Sequence, residues 1–238
     1  MKNQWIASSN NMAEKSNMPY VICHMMCAVD GKILSQNWVG SKAGRISAGL
    51  YEKIHRKFHS QAWMCGRVTM QRDFADGTYS HKGAKLKDKQ DFIADPKAKS
   101  FAVAIDPRGK LAWKDNNIDG DHLIEILTEQ VSQTYVEYLQ SLNISYLFGG
   151  VNEIDLGVTL KKLSDYFPIE TVMLEGGGNL NGQMLKASLI NELSLLMLPL
   201  ADGSQSTTVF EMGAVREMKL KTVKKLSNGV LWLKYKVN

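Results

Sequence analysis

Glu175-Gly176-Gly177-Gly178-Asn179-Leu180-Asn181-Gly182 follows the apolar run Thr171-Val172-Met173-Leu174 and precedes Gln183 to Leu189. The first flank has strand character and the second has helical spacing. Glycines between a strand and a helix let the backbone approach a ligand closely. The N–H groups of the helix's first turn then face that ligand, most often a phosphate. Glu175, at the strand's end, would lie beside it. The segment therefore predicts a dinucleotide or nucleotide-phosphate site, against the plainer alternative of a tight turn. It is not the Rossmann fingerprint, because a G-x-G-x-x-G frame begun at Gly176 puts Asn181 at the third glycine.

Outward from this junction the chain alternates strands and helices. Strands are expected at Tyr20–Cys27, Gln61–Cys65, Phe101–Ile105, His122–Leu127, Ile144–Phe148 and Leu193–Leu198. Helices are expected from an N-cap at Ser47 to about Phe58, from Arg67, over Gln133–Leu142, and over Leu156–Phe167. Gly66-Arg67 forms a second strand–glycine–helix junction. The span from Asp76 to Lys99 reads as a long exposed excursion. Met218–Lys225 and Val230–Val237 form a hairpin through Ser227-Asn228-Gly229. This order predicts an α/β protein with a mostly parallel sheet flanked by helices and an antiparallel C-terminal hairpin. Ligands of such sheets bind at the carboxyl ends of the strands, where Asp30, Gly66, Asp106, Gly149-Gly150 and Glu175 to Gly178 fall.

Composition narrows the function classes. The 238 residues suit one domain, 19–238, after a flexible tail, 1–18, that is rich in Asn, Ser and Met and lacks a signal-peptide core. No apolar run is long enough to span a bilayer, so no membrane partner is expected. Cys23, Cys27 and Cys65 sit in apolar strand-like surroundings, which argues for a reducing cytoplasm over a disulfide scaffold. His24 and Cys27 face opposite sides of a strand and do not make a metal pair. The net charge of +5 gathers near the C-terminus as lysines alternating with apolar residues, the pattern of a solvated sheet face. With only Trp232 and Tyr235 nearby, a nucleic-acid partner is not expected; anionic small molecules are.

Together the motifs resemble a known family. They are Met25-Met26-Cys27-Ala28-Val29-Asp30-Gly31-Lys32-Ile33, Gly66-Arg67-Val68-Thr69 with Asp73, Glu175-Gly176-Gly177-Gly178, and Asn191-Glu192-Leu193. In this order they are similar to the reductase domain of the bifunctional riboflavin-biosynthesis deaminase-reductase, which has a dihydrofolate-reductase-like fold. The resemblance runs from about Pro19 to Asn238. It implies NADPH-dependent reduction of the ribosyl part of 5-amino-6-(5-phosphoribosylamino)uracil to the ribitylamino product, by hydride transfer from nicotinamide C4 to C1′. It also implies cofactor contacts at Ala28, Trp38, Gly66, Thr69, Asp73 and Pro107, and a pyrophosphate loop over Gly177, Gly178, Asn179, Leu180, Asn181, Gly182 and Gln183. Glu175 resembles the acid that meets the substrate.

Asp30 and Glu175 are the two carboxyls available for proton transfer. The chain departs from the family where the substrate phosphate is held. Lys57 stands near one expected arginine, no arginine follows Asp73, and the nearest cations there are His81 and Lys82. Gln61 replaces an aspartate. The deaminase zinc signature is missing, so a separate protein would deaminate. The family is commonly homodimeric, and Leu193–Leu200 would suit an interface or, equally well, a buried central strand. The alternatives are a dihydrofolate-reductase-like enzyme acting on another carbonyl, imine or pterin, and a nucleotide-binding protein without catalysis.

Overall fold

The computed structural model describes residues 18–80 and 83–238. Its centre is a ten-stranded sheet. The chain enters at β1 (Tyr20–Cys27), in the middle of that sheet, and then forms α1 (Lys42–His55). β2 (Ala62–Gly66) leads directly into α2 (Arg67–Asp73). A short β3 (Gly77–Thr78), β4 (Phe101–Ile105), β5 (Leu111–Ala112), β6 (Asn117–Ile118) and β7 (Asp121–Thr128) follow. Next come α3 (Gln133–Ser141), β8 (Ser145–Gly150), α4 (Leu156–Tyr166), β9 (Thr171–Leu174), α5 (Gly178–Lys186) and β10 (Glu192–Met197). β11 (Met218–Lys225) and β12 (Leu231–Val237) close the chain.

The strand order is β11-β12-β10-β1-β9-β2-β4-β7-β6, with β8 also paired to β7. All pairings from β10 through β1, β9, β2, β4 and β7 to β8 are parallel. The C-terminal hairpin and β6 add antiparallel strands at the two edges. This is the mostly parallel sheet with an antiparallel closing hairpin that the alternation of elements predicts.

Burial on both faces explains why the strands read as continuous apolar runs. One face gathers Val21, Cys23, Met64, Phe101 and Val103 under Leu160 and Leu163 of α4 and Met184 of α5. The other gathers Ile22, Trp63, Cys65, Ala102 and Leu123 under Tyr135, Val136 and Leu139 of α3. Alternation of neighbouring residues between the two clusters is the two-residue period of a strand. A third cluster, with Trp38, Ile54, Leu196 and Trp232, lies under α1.

Several expected boundaries move. α1 is capped by Ser41, whose hydroxyl accepts from the Gly44 N–H at 2.9 Å. Ser47 lies inside the helix, buried, with its hydroxyl donating back to the Gly44 carbonyl at 2.7 Å. α5 starts at Gly178, within the glycine segment itself. The excursion after Asp76 is partly anchored: Leu86 is buried, and Phe92 bridges to Tyr146. β10 lies between β1 and β12 with Leu193 and Leu196 buried by this chain, the buried central strand of the two readings given for this segment. Of the expected tail, 1–17 lie outside the described residues, while Met18 packs against the core.

Candidate active site

The carboxyl ends of β1, β2, β4 and β9 open into a cleft of about 930 Å3. Two glycine junctions form its floor. At the first, Gly66 passes from β2 into α2; at the second, Gly176 and Gly177 pass from β9 into α5. The Gly66 N–H donates to the Gly176 carbonyl at 2.7 Å, which fixes one junction against the other. Gly177 caps α5 with no side-chain acceptor, leaving first-turn N–H groups for a ligand in the cleft. A Cβ on Gly177 would project toward the Thr69 hydroxyl at 3.5 Å, an ordinary contact across the cleft floor.

Glu175 stands at the end of β9 with its backbone N–H on the Met64 carbonyl at 2.9 Å. Its side chain is 13% exposed and accepts a hydrogen bond at 2.6 Å from Nδ1 of His55, the last residue of α1. One turn earlier, Tyr51 packs its ring on His24, gives its hydroxyl proton to the His24 carbonyl at 2.9 Å, and faces the same carboxylate. Burial pushes the Glu175 carboxyl above its ordinary range, and the His55 hydrogen bond only partly opposes it. The same hydrogen bond raises the His55 imidazole against the effect of burial. The pair therefore keeps a shared proton to higher pH than either group would in water. His24, buried beneath Tyr51, is lowered by desolvation to about 4 and stays neutral.

The rim carries charge of both signs, with Glu52, Glu153 and Glu175 among its lining residues. Arg67, Arg72 and Arg108 line the cleft together with Asp73. Arg72 pairs with Asp73 through two hydrogen bonds of 2.7 and 2.5 Å, while Arg67 donates to Gln71 at 2.6 Å. Met25, Ile33 and Leu34 form an apolar wall on the Glu175 side. Asn152, Glu153 and Ile154, after β8, close the opposite end.

Of the residues expected at the site, Gly66, Thr69, Asp73, Pro107, Glu175, Gly177, Gly178, Asn179, Leu180 and Gln183 line the cleft. The others lie elsewhere, each for a visible reason. Ala28 and Trp38 belong to the apolar cluster under α1, and the Trp38 indole N–H donates to Asp202 at 2.7 Å. Asp30 is exposed and accepts the Gly203 N–H at 2.8 Å and the Asp202 N–H at 3.3 Å; these bonds hold its carboxyl below the usual range. That is turn chemistry, and a carboxyl so held is a poor proton donor. Asn181 is buried and donates to the Val209 carbonyl at 2.9 Å. Gly182 makes room for the backbone of Glu211, which a Cβ would overlap. Gly178 both lines the cleft and admits the Thr208 carbonyl on its other side. Lys57 lies 5.7 Å from the centroid of the Trp232 ring, outside the cleft lining. His81 and Lys82 fall outside the described residues. Asp106 is buried below the cleft, where its carboxylate accepts from the Leu111 N–H at 2.8 Å.

The model of the RibD C-terminal domain matches residues 19–232. The chain belongs to that family. RibD-type structures share the fold as well. A pyrimidine reductase-like protein from Corynebacterium diphtheriae superposes with a TM-score of 0.68 at 12% identity, covering 94% of this chain and 93% of that one. RibD from Acinetobacter baumannii gives 0.66 at 19% identity, with 95% of this chain covered. This RibD C-terminal domain chain spans 60% of that longer protein. The Saccharomyces riboflavin biosynthesis reductase Rib7 gives 0.60 at 16% identity, covering 93% and 91% of the two chains.

Proposed function

We propose that this member of the RibD C-terminal domain family is an NADPH-dependent reductase of riboflavin biosynthesis. It would convert the ribosyl group of 5-amino-6-(5-phosphoribosylamino)uracil into the ribitylamino product. The observation that carries the reading is the juxtaposition, in one cleft, of two mutually bonded glycine junctions, the arginines Arg67, Arg72 and Arg108, and a buried carboxyl. The residues present fit a dinucleotide polyanion. The α5 N-terminus, capped by a glycine with no side-chain acceptor, and the Thr69 hydroxyl suit a pyrophosphate. Arg67, Arg72 and Arg108 suit further phosphate charge.

NADPH, when bound, supplies the hydride. The chain supplies everything else. Gly177 to Leu180 fix the phosphates, and Pro107 and Ile154 bound the cleft between β4 and β8. Met25, Ile33 and Leu34 exclude water beside Glu175. Glu175 holds a proton next to the reacting carbon's heteroatom, which must gain one as the carbon gains a hydride.

One observation favours a second reading, reduction of a different carbonyl or imine: Lys57, the expected phosphate ligand, is turned onto Trp232. The deciding experiment is NADPH oxidation followed by absorbance, with and without the phosphoribosylamino-pyrimidine. Oxidation that depends on this substrate and yields a ribitylamino mass supports the first reading. NADPH binding without such oxidation moves the search to other carbonyl and imine compounds.

A further inference from the structure

Behind the end of α1 lies a second cavity, of about 420 Å3. Glu52 lines both it and the cleft. Glu175 faces the cleft and His55 faces the second cavity, so their 2.6 Å hydrogen bond is the partition between the two spaces. This arrangement bears on a requirement of any carbonyl or imine reduction. Each turnover consumes one proton. Once cofactor and substrate fill the cleft, the exposed edge of Glu175 is covered by them. His55 keeps its own route to water, through the second cavity.

We propose that His55 is the positioning residue for Glu175 and carries protons to it from the second cavity. The inference rests on the reductase reading above. The balance per turnover is simple. The carbonyl or imine carbon gains the hydride and the nicotinamide is oxidised. The carbonyl oxygen or imine nitrogen gains the proton held by the His55–Glu175 pair. The pair, left without that proton, regains one from water that reaches the imidazole without crossing the occupied cleft.

The surroundings of His55 favour a ring that holds its proton more tightly than a free imidazole, chiefly through the Glu175 hydrogen bond. Glu175 faces it from the end of β9, Glu52 from its own helix, and Asp121 from β7. Asp121 is held in place by the Trp63 indole N–H at 2.7 Å and by the Ser100 hydroxyl. Arg56, His59 and Asp119 complete the polar wall of the second cavity. His24, under Tyr51, faces the pair from β1 and is the one neighbouring imidazole kept neutral by burial.

The test combines turnover with a measurement that needs none. The kcat–pH profile is recorded for the wild type, His55→Asn and His55→Ala, with and without added imidazole. The titration of His55 is followed by NMR in the wild type and in Glu175→Gln. Expected results are a kcat loss of about 100-fold or more in both His55 variants, within the usual range for a lost proton-transfer group. The KM for NADPH should stay within about twofold, as for a lost step beyond cofactor binding. The alkaline limb should shift in both variants, and imidazole, entering the second cavity, should restore much of the rate in His55→Ala. The His55 titration should fall in Glu175→Gln. His55→Asn keeps a donor toward Glu175 and guards against a folding defect in the alanine variant.

Wild-type turnover with an unchanged profile in both variants overturns the proposal. So does a lost rate that imidazole leaves unrestored, or a His55 titration indifferent to Glu175→Gln. Absence of wild-type turnover instead strikes at the reductase reading, while the NMR arm still decides whether the two side chains are coupled.

Discussion

Alanine at Gly182 and alanine at Gly177 should have opposite consequences, although both glycines belong to one segment. At Gly182 a Cβ overlaps the Glu211 carbonyl oxygen and comes within 2.8 Å of its carbon and 3.2 Å of the Gly213 nitrogen. These are backbone atoms, so no side chain can swing aside. The 207–213 segment must retreat, and it carries two bonds back to α5: Glu211 N–H to the Gly178 carbonyl at 2.9 Å, and Asn181 to the Val209 carbonyl at 2.9 Å. Overpacking costs about 1–3 kcal/mol, and the two weakened bonds add about 1 kcal/mol each. The better helix propensity of alanine returns about 1 kcal/mol. The net loss is about 2–4 kcal/mol, a fall in melting temperature of roughly 10 °C for a chain of this size. At Gly177 the nearest atom is 3.5 Å from a Cβ and φ is −69°, which alanine adopts freely. Stability should stay within about 0.5 kcal/mol of wild type, and the loss should appear in NADPH affinity. Thermal melts with fluorescence titration of NADPH on both variants provide the comparison. Equal melting temperatures for Gly182→Ala and wild type, or a destabilised Gly177→Ala with undiminished affinity, would refute the division of the segment into a packing half and a ligand half.

Two further expectations concern charge. Glu192 is nearly buried and receives Lys221 and Lys234 at 2.6 Å each, which outweighs burial and holds its carboxyl below the ordinary 4.5. A depressed carboxyl stabilises the fold above its unfolded value, and that contribution disappears as the pH falls through the folded one. Glu192→Gln should cost about 1–2 kcal/mol at neutral pH and flatten the loss of stability on acidification, as read by calorimetry at pH 7 and pH 4. Parallel curves would show that these lysines contribute nothing. Lys57→Met should leave kcat and KM within about twofold and cost no more than its contact with Trp232, about 0.5–1 kcal/mol. A tenfold rise in substrate KM would return Lys57 to the substrate site.

What the sequence discloses here depends on how far apart the partners are. β1, β4, β9 and β11 have the expected bounds, because apolar runs, or the Lys-alternating stretch of β11, ended by Asp-Gly, Asp-Pro, Glu-Gly or Ser-Asn-Gly are local signals. The start of α1 is less legible: Ser47 looks like a cap from its sequence, and only the fold shows that Ser41 caps while Ser47 bonds back into the helix. α5 begins five residues earlier than its apolar spacing indicates, since Gly178, Asn179, Asn181 and Gly182 are weak helix formers held helical by tertiary packing. That Glu175, Thr69 and Gly177 would share one cleft was readable from their places at strand–helix junctions. The roles of Asn181 and Gly182 were not, because the segment they accommodate lies about thirty residues on. His55 gave one signal, its position four residues after Tyr51 on one helix face, but its partner is 120 residues away.

The position of β1 has a consequence for how the chain is made. Among the described residues the earliest strand is the one that ends between β9 and β10, and its Val21 N–H waits for the Asn191 side chain, 170 residues later. At common rates of translation that interval is about 10–30 s, far longer than local helices need to form. During it an apolar strand with both edges unpaired is exposed, a segment prone to association with other chains. A nascent molecule of this design is most exposed to aggregation, and most in need of a chaperone, until its last third has been synthesised.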